Sequence, residues 1–164
     1  FDQLLVSPLT PLYIMAGKAL PGMLVAFLQG SFIALAARFI YGVPFTGSLP
    51  MLVLGMLSYG LALSGIGLFI SSLCTTQQQA FLGVFCFMVP AVILSGYVSP
   101  VENMPPLFQL IAQINPLTYF ILILKGIFLK GFGFAACWPF LWPLLLFALC
   151  NLAAALYLFR RHIA

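Results

Sequence analysis

Four stretches of this sequence, 16–42, 49–73, 80–99 and 137–159, are long and apolar enough to cross a lipid bilayer. A spanning helix needs about 20 predominantly apolar residues, and no other feature of the sequence limits the possible folds as sharply. From Phe39 to Val101 there is no charged side chain at all. In total 64% of the 164 residues are hydrophobic and 5% charged, against roughly 25% charged in soluble domains. A soluble globule of this length cannot hide that much apolar surface. The reading is therefore an all-α, polytopic helical membrane protein with four transmembrane helices. In lipid every backbone polar group must be satisfied internally, and helices do this by themselves.

The breaks between the stretches differ in chemistry. VPFTGS, Val43–Ser48, holds Pro, Gly, Thr and Ser and reads as a turn. CTTQQQ, Cys74–Gln79, is mostly polar and too short to cross anything, so it reads as a tight hairpin at the membrane surface. Residues 100–134 mix Pro, Asn, Glu and two Lys with LFQLIAQI and YFILILKGIFLK. No uninterrupted apolar run of spanning length occurs there, which predicts a re-entrant or interfacial helical pair rather than a fifth span. Pro8 and Pro11 are expected to break the chain ahead of the first span, leaving 1–15 as a short surface segment. In that segment Leu4 and Leu5 adjoin Asp2 and Gln3, a pattern that fits an interfacial anchor or a helix docking into a partner's groove.

Glu102, in SGYVSPVENMPP, is one of two acidic residues, the other being Asp2. Pro100 and Pro105–Pro106 cannot continue a helix, so the third span must end before them. A carboxylate there stays hydrated, whereas at the bilayer centre it would cost on the order of 2.5–3.5 kcal/mol. With four spans, both termini and CTTQQQ share one face, and VPFTGS and Glu102 share the other. The cations do not orient this arrangement: Lys18, Arg160 and Arg161 fall on the terminal side, and Arg38, Lys125 and Lys130 on the opposite one. FRRH at Phe159–His162 favours a cytoplasmic terminal side. Gly60, Ser64, Gly67 and Ser71 recur on one face of the second span, a small-residue seam for close approach of a helix or a partner subunit. Pro21 and Pro90 should kink their helices.

The sequence also excludes chemistry. Its one histidine, His162, lies near the end, so no His-based triad or His-centred metal cluster can form. No GxxxxGK[ST] phosphate loop occurs. No carboxylate lies within a span, where ion-coupled carriers use one. Cys74, Cys86, Cys137 and Cys150 have no metal-binding spacing and read as small packing residues. The basic residues are scattered, which fits lipid headgroups rather than nucleic acid. The chain is thus expected not to be an enzyme, and energy for uphill transport would have to come from a partner.

QLLVSPLTP, GKALP, VPFTGS, TQQQA, LSGYVSPVENMPP, INPLTYF and KGIFLKG, in this order and over essentially the whole length, resemble ABC-2 type permeases, in particular the bacterial multidrug-efflux group (YbhS- and YhhJ-like). The resemblance implies six spans with a large extracytoplasmic domain between the first two. The present chain, starting at Phe1 rather than Met, would be the C-terminal portion and hold the last four. It makes the terminal side cytoplasmic. It implies that Asp2, Gln3, Leu4, Leu5, Val6, Ser7 and Pro8 lie around a coupling helix that contacts the ATPase subunit, with Asp2 where the family has Glu. Gln77, Gln78 and Gln79 would form a second cytoplasmic contact. Glu102, Asn103, Met104, Pro105, Asn115 and Pro116 would belong to an extracytoplasmic gate.

The resulting expectation is a permease subunit of an ATP-driven exporter in the bacterial inner membrane, moving hydrophobic or amphiphilic compounds. The chain itself would bind no cofactor, with ATP and magnesium on the partner. Expected partners are an ABC ATPase subunit, a second permease (identical or a sister chain), the bilayer and a periplasmic adaptor. Two other readings stay open: a non-transporting membrane scaffold, which needs no coupling element, and an ion-coupled carrier, whose flux would survive ATP depletion.

Overall fold

In the computed structural model, residue 8 and residues 10–163 are described. Six α-helices follow one another: α1 (Pro11–Phe39), α2 (Leu49–Leu73), α3 (Gln77–Leu94), α4 (Pro106–Ile114), α5 (Pro116–Lys125) and α6 (Phe134–Ile163). A 3-10 turn at Val101–Asn103 precedes α4, and a π-helical turn at Gly126–Lys130 extends α5. No strand occurs among the described residues. α1, α2, α3 and α6 are each long and apolar enough to cross a membrane, so the chain is an all-α multi-pass membrane protein.

The first helix corrects one expectation. Pro11 does not break the chain ahead of the span but occupies the first turn of α1. The missing N–H of proline is no loss there, and its fixed φ suits helix entry. α1 ends at Phe39 rather than 42, where Gly42 takes φ 64 in the turn that follows. α3 likewise ends at Leu94, and Gly96 at φ 86 turns the chain away. α6 starts earlier than 137, at Phe134, and carries Pro139 and Pro143 within its first turns.

α2 and α6 form the most extensive helix pair, and α5 leans on both. Their shared core holds Leu52, Ala62, Ile123, Ile127, Leu141, Leu144 and Ala148, with the Cys137 thiol buried among them. All four cysteines are free. A second small cluster of Ile14, Met15, Ala155 and Phe159 joins the start of α1 to the end of α6. α1 and α3 otherwise expose rows of Leu, Val and Phe, among them Leu24, Leu28, Phe32, Phe81 and Phe85. Such a surface needs lipid or further helices against it.

Close approach does use small residues on α2, but one notch around from the predicted seam. At Gly55 a Cβ would lie 3.2 Å from Ile123, and at Gly65 3.1 Å from Asn151. Ser58 and Ala62 between them are buried. A Cβ at Gly60 or Gly67 would meet nothing within 4 Å, and Ser64 and Ser71 are only partly buried. Gly60 is itself buried, but the closest approaches within this chain fall on the Gly55–Gly65 row. A glycine-rich helix offers more than one row of small residues, and which row is used depends on where the partner's bulk falls.

The α4–α5 pair is folded by 83° at Asn115. Its course follows from what it touches. Phe120 stacks on Tyr59 with ring centroids 4.3 Å apart, Ile123 meets Gly55, and the Ile127 carbonyl accepts a 2.8 Å hydrogen bond from the Gly47 N–H. α5 thus climbs α2 from its middle to its start, ending at the α1–α2 loop. Thr46 adds hydrogen bonds from its Oγ1 to the Ile127 and Phe128 carbonyls, and Phe45 meets Phe128 edge-on at 5.3 Å. Glycine is required at position 47, because a Cβ would lie 2.7 Å from the Ile127 oxygen. α4 begins beside the turn that follows α3. Since α3 ends at the same side as α2 begins, the pair enters and leaves at one end of the bundle.

Candidate functional site

The two ends of the bundle carry the polar features that the sequence singles out. At one end, α2 and α3 are joined through Cys74, Thr75 and Thr76 alone. Thr76 is the N-cap of α3, its Oγ1 accepting from the Gln79 N–H at 3.2 Å. Gln79 reaches back, its Oε1 accepting from the Thr75 N–H at 3.2 Å and from the Thr75 hydroxyl at 3.0 Å. The arrangement is a variant of the capping box, a reciprocal bond between the cap residue and the glutamine three places on. T-x-x-Q spells it in the sequence, so this role of Gln79 was readable without a structure. Gln79 therefore shapes the hairpin, whereas Gln77 and Gln78, exposed beside it, take no part in the cap.

Of the first segment, Asp2, Gln3, Leu4, Leu5 and Ser7 lie outside the described residues. Pro8 is exposed. Nearby, Ile14, Met15 and Lys18 of α1 face Leu68, Ser71 and Ser72 of α2 and the end of α6 across a small crevice. The start of α1 and the end of α2 thus meet at the same end of the bundle as the hairpin.

At the opposite end, Glu102 and Asn103 form an exposed 3-10 turn, and Pro105 is exposed beside it. The Glu102 carboxylate is not what holds the loop. The Gln109 amide donates to the Glu102 main-chain carbonyl at 3.3 Å and to that of Met104 at 2.9 Å. Gln109 is thus a loop-fixing residue that the sequence reading missed, for lack of any motif around it. Asn115 and Pro116, by contrast, are buried at the fold between α4 and α5.

Asn115 makes that fold possible. Its Oδ1 accepts from the Leu117 N–H at 3.1 Å, capping α5. Its Nδ2 donates to the Ala91 carbonyl of α3 at 2.6 Å. That carbonyl lacks its usual helical donor, because the Ser95 N–H has turned to Val92 at 3.4 Å. One side chain therefore satisfies an orphan donor of one helix and an orphan acceptor of another. Non-helical backbone within an apolar bundle is tolerated only when it is satisfied in this way. The Thr118 hydroxyl, one turn on, is buried with no hydrogen-bond partner among the described residues.

Larger recesses than the crevice beside Lys18 also open on the architecture. An apolar one of about 300 Å³ lies between α3 and the α4–α5 fold, walled by Phe87, Pro90, Ile111, Ile114 and Phe147. Another of about 500 Å³ lies between α1 and α2, with Arg38 near the Phe45 ring at 6.0 Å from its centroid. No cluster of metal-ligating side chains occurs among the described residues.

Spanning helices, a capped hairpin at one end and a sharply bent helix pair pinned at the other describe a multi-pass helical membrane protein. The comparisons with known proteins make the class specific: the family model for the ABC-2 type transporter matches residues 1–129, and the chain belongs to that family. It is similar to the probable multidrug ABC transporter permease YbhR of Escherichia coli K12, 51% identical over 162 residues, 99% of this chain and 44% of that protein. It is 32% identical to the inner membrane transport permease YhhJ of the same organism, over 99% of this chain and 44% of that protein. To the probable multidrug ABC transporter permease YbhS it is 29% identical, over 79% of this chain and 35% of that protein. Identity is thus higher to YbhR than to the two permeases that the sequence motifs resemble. The chain spans less than half the length of these relatives. No solved structure matches it.

Proposed function

We propose that this chain is the C-terminal, membrane-spanning part of a permease subunit in an ATP-driven exporter of the bacterial inner membrane. It would carry the last four of six spans and move hydrophobic or amphiphilic compounds outward. A separate ATPase subunit holds ATP and magnesium, and a second permease, identical or a sister chain, completes the pathway. A periplasmic adaptor is a further candidate partner. The observation that carries this reading is the ABC-2 family match over most of the chain. The geometry supports it at both ends. A rigidly capped hairpin that presents Gln77 and Gln78 is suited to receive a push from a soluble partner. A tightly pinned α4–α5 pair suits a body that moves with the spans rather than a flexible loop.

The test is a cross-link. In the full-length protein carrying Ser7→Cys, purified with its partners, a cross-link to a nucleotide-binding subunit is expected. Labelling of that cysteine from outside the cell, without such a cross-link, would overturn the topology and favour a scaffold or carrier.

A further inference from the structure

A third recess, of about 360 Å³, lies under the turn that follows α3, between that turn and the inner faces of α4 and α5. It differs from the others in having charges of both signs. Its lining includes Glu102 from the 3-10 turn, Gln109 and Gln113 from α4, and Thr118, Tyr119 and Lys125 from α5. Glu102 is the only acidic side chain among the described residues. Although both line one recess, Glu102 and Lys125 form no ion pair with each other. Gln113 lies one turn beyond Gln109 on the same face of α4, so both residues line this space. Val101, Ala112, Ile121 and Leu122 supply apolar walls. The volume falls in the range of small-ligand sites, roughly 300–1,000 Å³.

We propose that this recess binds the headgroup of a zwitterionic amphiphile, an ammonium with a phosphate as in phosphoethanolamine. The ammonium sits toward Glu102 and the phosphate toward Lys125, and the apolar walls take the first part of the tail. Separated opposite charges favour a zwitterion over an ion of either sign. A lone anion would meet Lys125 but be repelled by Glu102, and a lone cation the reverse. The place in the fold agrees: the recess is at the end of the bundle where α3, a helix long and apolar enough to cross a membrane, stops. The ligand can come from two sources, the bilayer's own lipid or a transported amphiphile, and only the second rests on the exporter reading.

Glu102 and Lys125 are both exposed, so Glu102→Gln and Lys125→Met leave the fold intact, which thermal unfolding without ligand checks. Purified full-length protein in detergent is titrated with short-chain phosphatidylethanolamine and with short-chain phosphatidylglycerol, an anionic control. Saturable phosphatidylethanolamine binding is expected, at least about tenfold tighter than phosphatidylglycerol, as losing a hydrogen bond to a charged group implies. Glu102→Gln should narrow that preference, and Lys125→Met should weaken both lipids. Equal binding of the two lipids, or binding unchanged in both variants, overturns the proposal. The source is then read in proteoliposomes containing the ATPase partner and lysophosphatidylethanolamine. Movement between leaflets that requires ATP hydrolysis identifies a cargo site, and binding without movement a resident lipid. Either result keeps the site, and the second leaves the exporter reading to its own test.

Discussion

Asn115 shows how much one side chain can carry in an apolar protein. Alanine there would leave the Leu117 N–H and the Ala91 carbonyl without their side-chain partner. Loss of a cap together with a buried orphan carbonyl is expected to cost about 2–4 kcal/mol, read as a lowered unfolding temperature in detergent. Asn115→Asp keeps the acceptor for Leu117 but turns an oxygen toward the Ala91 carbonyl. It should therefore be no rescue, and a wild-type unfolding temperature for Asp would show that the donor half of the contact is unimportant. The glutamines separate in the same way. Gln79→Ala should destabilise the hairpin by about 1 kcal/mol through loss of the cap interactions. Gln77→Ala and Gln78→Ala should stay within about 0.5 kcal/mol of wild type, as exposed positions do, while lowering the partner's stimulated ATPase activity. Unchanged activity in the double Gln77/Gln78 variant would count against a coupling role for the hairpin.

At the scale of elements, the sequence shows what lipid imposes and conceals what packing decides. The four long helices were legible because bilayer thickness and apolar run length are the same constraint. The 100–134 region was legible as something shorter, because its prolines and polar residues interrupt every apolar run. Its course was not, since the fold at Asn115 depends on where α3 ends and which carbonyl that leaves open. The start of α1 was misplaced because proline breaks a helix in its interior yet starts one at its first turn. The small residues of α2 that meet α5 and α6 form a different row from Gly60–Ser71, since periodicity finds rows of small side chains but not the bulk that comes to meet them. Gly65→Leu should cost about 1–3 kcal/mol by overpacking against Asn151 and Leu152 of α6. Gly67→Leu meets open space within the chain and should leave the unfolding temperature unchanged or raised, since leucine is the better helix former. Any defect of Gly67→Leu would then lie in permease pairing, read by size-exclusion chromatography of the full-length protein.

For the whole molecule, the division of labour runs along the bundle axis. One end gathers the capped hairpin, the start of α1 and the end of α6; the other gathers the α1–α2 loop, the 3-10 turn and the bent α4–α5 pair. Between them α2 and α6 form the spine against which α5 is braced. In the proposed exporter, a displacement applied at the hairpin would be passed by helices packed as rigid bodies to the pair at the far end. ATP hydrolysis on a partner drives outward movement through this domain in the proposed exporter. The most direct measurement is flux of a fluorescent amphiphile in proteoliposomes containing the full-length permease and its ATPase subunit. An ATP-driven exporter gives flux that requires hydrolysable ATP, stops when the ATPase subunit is catalytically dead, and persists when the membrane potential is collapsed. Flux that continues without ATP and disappears with the potential would contradict it.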